Sequence, residues 1–142
     1  MPFKSEIDSK LGVVRVEVWG VDTPDAMALR VSSILADPRW IPGYDLLVDY
    51  SRLTEFDFTA DQLEQMRRIH QGNQGQLGDG ASVIVDPRPE SSGITQLFAS
   101  IASDPDRPKP LVFHSRAEAE AYLEERRLKR QKQSDTDLPA EP

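Results

Sequence analysis

The chain contains no cysteine. Disulfides, thiol nucleophiles and cysteine-held metal centres are therefore excluded. Any zinc would rest on carboxylates and the two histidines, His70 and His114, and these show no tight ligand spacing, so no metal site is expected. Positive charge is also scarce. Seventeen Lys and Arg stand against 24 Asp and Glu, a formal net charge of −7. Nucleic acid is thus not expected as a partner, because phosphate binding needs a concentrated basic face. The one basic run, Arg126 to Lys132, reads as a solvated helix end favoured by the helix dipole. No apolar run approaches the roughly 18–20 residues that span a bilayer. The opening "MPFKSEIDSK" lacks the apolar centre of a secretory signal. Together these absences lead to the expectation of a cytoplasmic protein with no transmembrane segment.

Nucleotide motifs are missing as well. Gly78-Asp-Gly80 precedes a strand pattern, whereas a dinucleotide fingerprint needs its glycines between strand and helix. There is no Walker sequence and no Gly-x-Ser-x-Gly elbow. No cofactor and no catalytic residue are expected.

What is present suits a compact domain: 142 residues, 38% hydrophobic and 29% charged. The domain is placed at residues 1–130, with 131–142 as a disordered tail. Residues 3 to 8 can form an edge strand, joined by a hairpin to "GVVRVEVWG", where valines alternate with Arg15 and Glu17. Thr23 caps a helix with Pro24 at its first position. Met27, Val31, Ile34 and Leu35 form its buried stripe, and Asp37-Pro38 ends it. "DLLVDY" is a central strand, and "SRLTEFDF" is its connector to a second helix opened by the capping box Thr59 to Gln62. That helix turns Leu63, Met66 and Ile69 inward. "GNQGQLGDG" is a loop and "ASVIVD" a further strand. Ile94, Leu97, Phe98 and Ile101 mark a third helix. "LVF" is the last strand, and a capping box, Ser115 to Glu118, opens a final helix burying Ala119, Tyr122 and Leu123 and ending near Arg130. The order ββαβαβαβα predicts an α/β fold with a mixed, mostly parallel five-stranded sheet and four helices.

Asp49 and Asp86 fall at strand ends, where parallel sheets collect ligands. A phospho-acceptor receiver would also need a lysine just after the last strand. His114 and Ser115 stand there, and Lys109 precedes the strand, so that reading fails for want of the neutralising cation.

The stretch "DLLVDYSRLTEFDFTADQLEQM" resembles the bacterial anti-sigma-factor antagonist (STAS) pattern, in which an apolar strand ends in Asp and a short connector leads to a regulated turn opening a helix. The chain from about residue 10 to 125 is similar to the SpoIIAA-like (STAS/SEC14-like) family, through "VIVDPRPESSGITQLFASIA" and "VFHSRAEAEAYL". The resemblance implies a non-enzymatic regulatory module acting through an unidentified protein partner. It places the family's phospho-acceptor on Thr59, with Asp57 beside it. Thr59 is followed by Ala60 and Asp61, where the family has Gly and an apolar residue. The family's regulated turn reads Asp-Ser-Ser-Gly and follows the strand equivalent to "LLVDY"; "ESSG" follows the next strand, so Ser91 or Ser92 reads as a helix cap with Gly93 allowing a close turn, all three also being candidate contacts. The alternative is a carrier of a small apolar ligand or lipid, with Tyr50, Phe56, Phe58 and Phe98 lining a pocket at the sheet's carboxyl edge. A homodimer built on edge strands, Trp19 and Trp40 is a further expectation.

Overall fold

A computed structural model of the chain describes residues 3–72, 76, 78–88 and 110–137. Five strands form one mixed sheet in sequence order: β1 (Phe3–Asp8), β2 (Val13–Asp22), β3 (Asp45–Phe56), β4 (Ser82–Val85) and β5 (Leu111–Phe113). β1 runs antiparallel to β2, and every later neighbour is parallel. The helices among the described residues are α1 (Pro24–Ala36), α2 (Ala60–Gly72) and α3 (Arg116–Asp137). The α/β class and the mixed five-stranded sheet follow the sequence pattern. The helix expected over Ile94 to Ile101 lies outside the described residues.

The hairpin between β1 and β2 has a local cause. The Asp8 carboxylate accepts the N–H groups of Lys10 and Leu11, both at 3.1 Å. Gly12 then enters the left-handed region, φ 67°, and its N–H donates to the Asp8 carbonyl at 2.9 Å. Glycine takes this conformation without the Cβ clash that other residues meet. At the start of α1 the Thr23 hydroxyl accepts the Ala26 N–H at 3.2 Å. Pro24 occupies the first turn, where its missing N–H removes no helical bond.

Alternation along β2 and β3 makes two cores. Val14, Val16 and Val18 face one side with Tyr50, Leu53, Ile84 and Ile34 of α1. Val13, Leu47, Val83 and Val85 face the other, where α3 brings Ala119 and Leu123. Each fully buried aliphatic side chain contributes roughly 1.5–3 kcal/mol. The expected α1 stripe holds for Met27 and Ile34, while Val31 and Leu35 are half-buried and Arg30 lies on the stripe.

Two boundaries differ from expectation. The connector expected from Ser51 is strand as far as Phe56, because β2 also continues to Asp22 and Trp19–Asp22 pair with Arg52–Phe56. A register irregularity after Glu17 sets Gly20 opposite Leu53, which keeps Leu53 in the core. Side chains along a strand change face at every residue, so such a slip re-aims them. The last helix continues past Arg130 to Asp137. Neither Gly nor Pro interrupts it, and Pro139 is the first residue that disfavours helix before it.

At the amino edge of the sheet, the Ala81 N–H donates to the Asp45 carboxylate and Leu46 N–H to the Ala81 carbonyl, at 2.9 and 2.8 Å. A Cβ on Gly80 would fall on the Tyr44 carbonyl, so only glycine fits this approach. Trp40 closes the same end, its indole N–H donating to the Gln76 carbonyl at 2.9 Å and its ring edge-on to Tyr44. Trp19 is half-buried beneath the Arg52 guanidinium, 5.9 Å from its ring centre.

Candidate functional site

The carboxyl edge of the parallel strands is stepped. β4 pairs no further than Val85 opposite Asp49, while β2 and β3 run on together to Asp22 and Phe56. Under this extension lies a buried polar cluster. Arg30 of α1 holds both carboxylate oxygens of Asp22, at 2.7 and 2.9 Å, and donates to the Tyr50 hydroxyl at 3.0 Å. Burial of such charges is tolerated only with this bidentate pairing. The same environment shifts Tyr50 well above the usual phenol range, chiefly by desolvation and against the nearby Arg30 charge.

The cluster reaches the surface through the backbone. Asp22 Oδ1 accepts the Thr23 N–H at 3.1 Å, and the Asp22 carbonyl accepts the Asp57 N–H at 2.9 Å. Asp57 therefore starts from an anchored point, although its side chain is exposed; Phe58 is half-buried and Thr59 exposed. Thr59 forms the expected reciprocal cap: its N–H donates to Gln62 Oε1 at 2.8 Å, and its hydroxyl accepts the Gln62 N–H at 3.2 Å.

A second charged group crosses the sheet under α3. Asp49 accepts the Ser51 N–H at 2.9 Å and the Ser51 hydroxyl. Arg116 lies 3.5 Å from Asp49, 3.0 Å from Glu17 and 3.7 Å from Glu120. Glu120 in turn takes Arg15 at 2.7 and 3.0 Å, and Arg15 reaches Asp8 at 3.3 Å. The Arg15 hydrogen bond, ahead of opposing desolvation, holds the Glu120 carboxyl below its ordinary value. A third group forms at β4, where buried Asp86 binds the Arg88 side chain at 2.9 Å. The Asp86 N–H donates to the Phe113 carbonyl at 2.9 Å, and exposed His114 brings Nδ1 within 3.3 Å of the Asp86 carbonyl.

The sequence candidates thus separate. Asp57 and Thr59 share one exposed turn. Asp49 and Asp86 each hold an arginine. Tyr50 is buried with its hydroxyl bonded, and Phe58 stands half-buried by the turn. Ser91, Ser92, Gly93, Phe98 and the side chains of Phe56 and His70 lie outside the described residues. Among the described residues no group of three or more His or carboxylate side chains is placed to hold a metal, and no helix is long and apolar enough to cross a membrane. Two open grooves flank α3: about 390 Å³ beside Leu11, Arg15 and Arg127, and about 440 Å³ beside Tyr122, Arg126 and Arg130.

Sequence reasoning missed the Asp22–Arg30 pair. Its signal was available: Arg30 falls three residues after Met27 and four before Ile34, on the apolar stripe. No comparable local signal marks Arg116 with Glu17 and Asp49, which meet only when α3 packs on the sheet. The sequence matches no protein-family model and no curated protein significantly.

Proposed function

We propose that the chain is a non-enzymatic, cytoplasmic binding or regulatory module of the STAS/SpoIIAA-like type, and that the turn from Asp57 to Thr59 is its partner contact. One observation carries the reading: an exposed hydroxyl at the start of α2 sits on a turn tied by its backbone to the buried Asp22–Arg30 pair. A fixed surface of this kind suits recognition, since little ordering entropy is lost on contact. A phosphate on Thr59 would meet the favourable N-terminus of α2, opposed by the charges of Asp57 and Asp61. Phosphorylation would deepen the negative charge a partner meets there without requiring the domain to refold.

An enzyme built on Asp49, Asp86 or His114 has less support, because both carboxylates are engaged by arginines. The ligand-carrier alternative has less support from Tyr50, whose hydroxyl is held within the core.

A photo-crosslinking residue at Asp57, with a control at Leu128 on α3, tests the contact in extracts of the native host. A discrete protein adduct is expected at Asp57 alone, and Thr59→Glu is expected to change its yield several-fold. Equal labelling at both positions, or none, would remove the reading. Thr59→Ala should cost only about 1 kcal/mol of stability, the usual value of a helix cap, so an intact domain remains for the assay.

A further inference from the structure

We infer that β1 pairs edge to edge with β1 of a second copy of this chain, on a two-fold axis through Ser5, joining two five-stranded sheets into one. The inference is independent of the Thr59 turn.

β1 is an end strand of the sheet. It runs without a bulge from Phe3 to Asp8 and contains no proline. Natural sheets commonly blunt an open edge with those devices, and neither occurs along these six residues. Its backbone has the right orientation. The Asp8 carbonyl turns inward to the Gly12 N–H. Peptide groups alternate along a strand, so Lys4 and Glu6 also direct theirs towards β2, while Phe3, Ser5 and Ile7 direct theirs outward.

The side chains choose the partner. In an antiparallel pair centred on Ser5, Lys4 of each copy stands opposite Glu6 of the other, and Phe3 opposite Ile7. Phe3 and Ile7 already belong to one core face, where Phe3 is still half-buried. Lys4 and Glu6 are exposed and make no ion pair among the described residues. Within each copy Lys4 faces Glu17 on β2 and Glu6 faces Arg15. Across the joined sheets the row would read Glu17, Lys4, Glu6, Arg15, alternating in sign. Opposite charges at facing positions favour a sheet pair and like charges oppose it. A self-complementary patch is also what a two-fold interface requires. Shifting the register by two residues in either direction parts Phe3 from Ile7 and sets like charges together, Lys4 with Lys4 or Glu6 with Glu6. The chemistry therefore favours a second copy over an unrelated strand.

Sedimentation or light scattering of the full chain tests this directly. The wild type is expected at twice the 16.0 kDa of one chain. Ser5→Pro removes an outward N–H without touching the β1–β2 ladder, a position where edge strands accept proline. It is expected to halve the mass and leave the circular dichroism unchanged, with an unfolding midpoint that no longer depends on protein concentration. Should that variant fail to fold, the charges decide. Lys4→Glu and Glu6→Lys are each expected to be monomeric alone, and an equimolar mixture is expected to regain the doubled mass, since each facing pair is then opposite in sign. A monomeric wild type, a folded Ser5→Pro dimer, or a mixture that stays monomeric would overturn the inference.

Discussion

The Arg30 guanidinium grips both oxygens of the Asp22 carboxylate, at 2.7 and 2.9 Å, in a site where the acid has no exposure and the base only 4%. Two full charges have left water together, and neither has solvent to return to in the folded state. Removing one partner strands the other. Asp22→Ala and Arg30→Met should each destabilise the domain by about 3–5 kcal/mol, the cost of breaking a buried pair. The double variant Asp22→Leu/Arg30→Met should recover much of that loss. Urea unfolding of the three variants gives the comparison.

Tyr50 should resist ionisation. Burial raises its pKa above the ordinary phenol value of about 10, with Asp22 acting in the same direction and Arg30 against it. Its folded pKa therefore exceeds its unfolded one. The associated stability is fully present below about pH 10 and is lost as pH rises towards the folded value. In an ultraviolet phenolate titration, Tyr50 should ionise only as the fold is lost, and Tyr50→Phe should remove that late phase.

Asp37 offers a test at the acid end. The Arg39 side chain, bonded at 2.9 and 3.1 Å, lowers its carboxyl to about 2, with the Arg39 N–H reinforcing the effect. A depressed folded pKa stabilises the fold above the ordinary Asp value and ceases to do so as pH falls through about 2. Carboxyl NMR titration should show this directly. Arg39→Ala should return the group towards about 4.

Gly80→Ala should loosen the amino edge. Its added methyl would meet the Tyr44 carbonyl, a backbone atom held immediately before β3. The expected cost is about 1–3 kcal/mol, the range for overpacking, read as a lower midpoint in thermal unfolding. Gly72→Ala is the control, because nothing lies within 4 Å of its added methyl.

Much of this architecture was legible from local pattern. Alternating valines marked β2, Thr23-Pro24 marked the start of α1, and Thr59 with Gln62 marked the cap of α2. Each signal operates within a few residues, through backbone geometry or a single hydrogen bond. The continuation of β3 to Phe56 was not legible, because "SRLTEF" becomes strand by pairing with a β2 that is itself long enough to receive it. The charged chain from Asp49 through Arg116 and Glu120 to Arg15 was not legible either, since its members come from three elements far apart in sequence.

By itself the sequence determined the types and order of the described strands and helices though not all their ends, the alternation that makes a two-sided sheet, and the hydroxyl that starts α2. It could do so because propensity, periodicity and capping depend on near neighbours. Only the tertiary structure decided that Arg30 turns into the core, that the Asp57 N–H is tied to the Asp22 carbonyl, and that Asp49 and Asp86 are engaged by cations. Those outcomes depend on which charges become neighbours when water is excluded, and a linear chain does not specify that distance until it is packed.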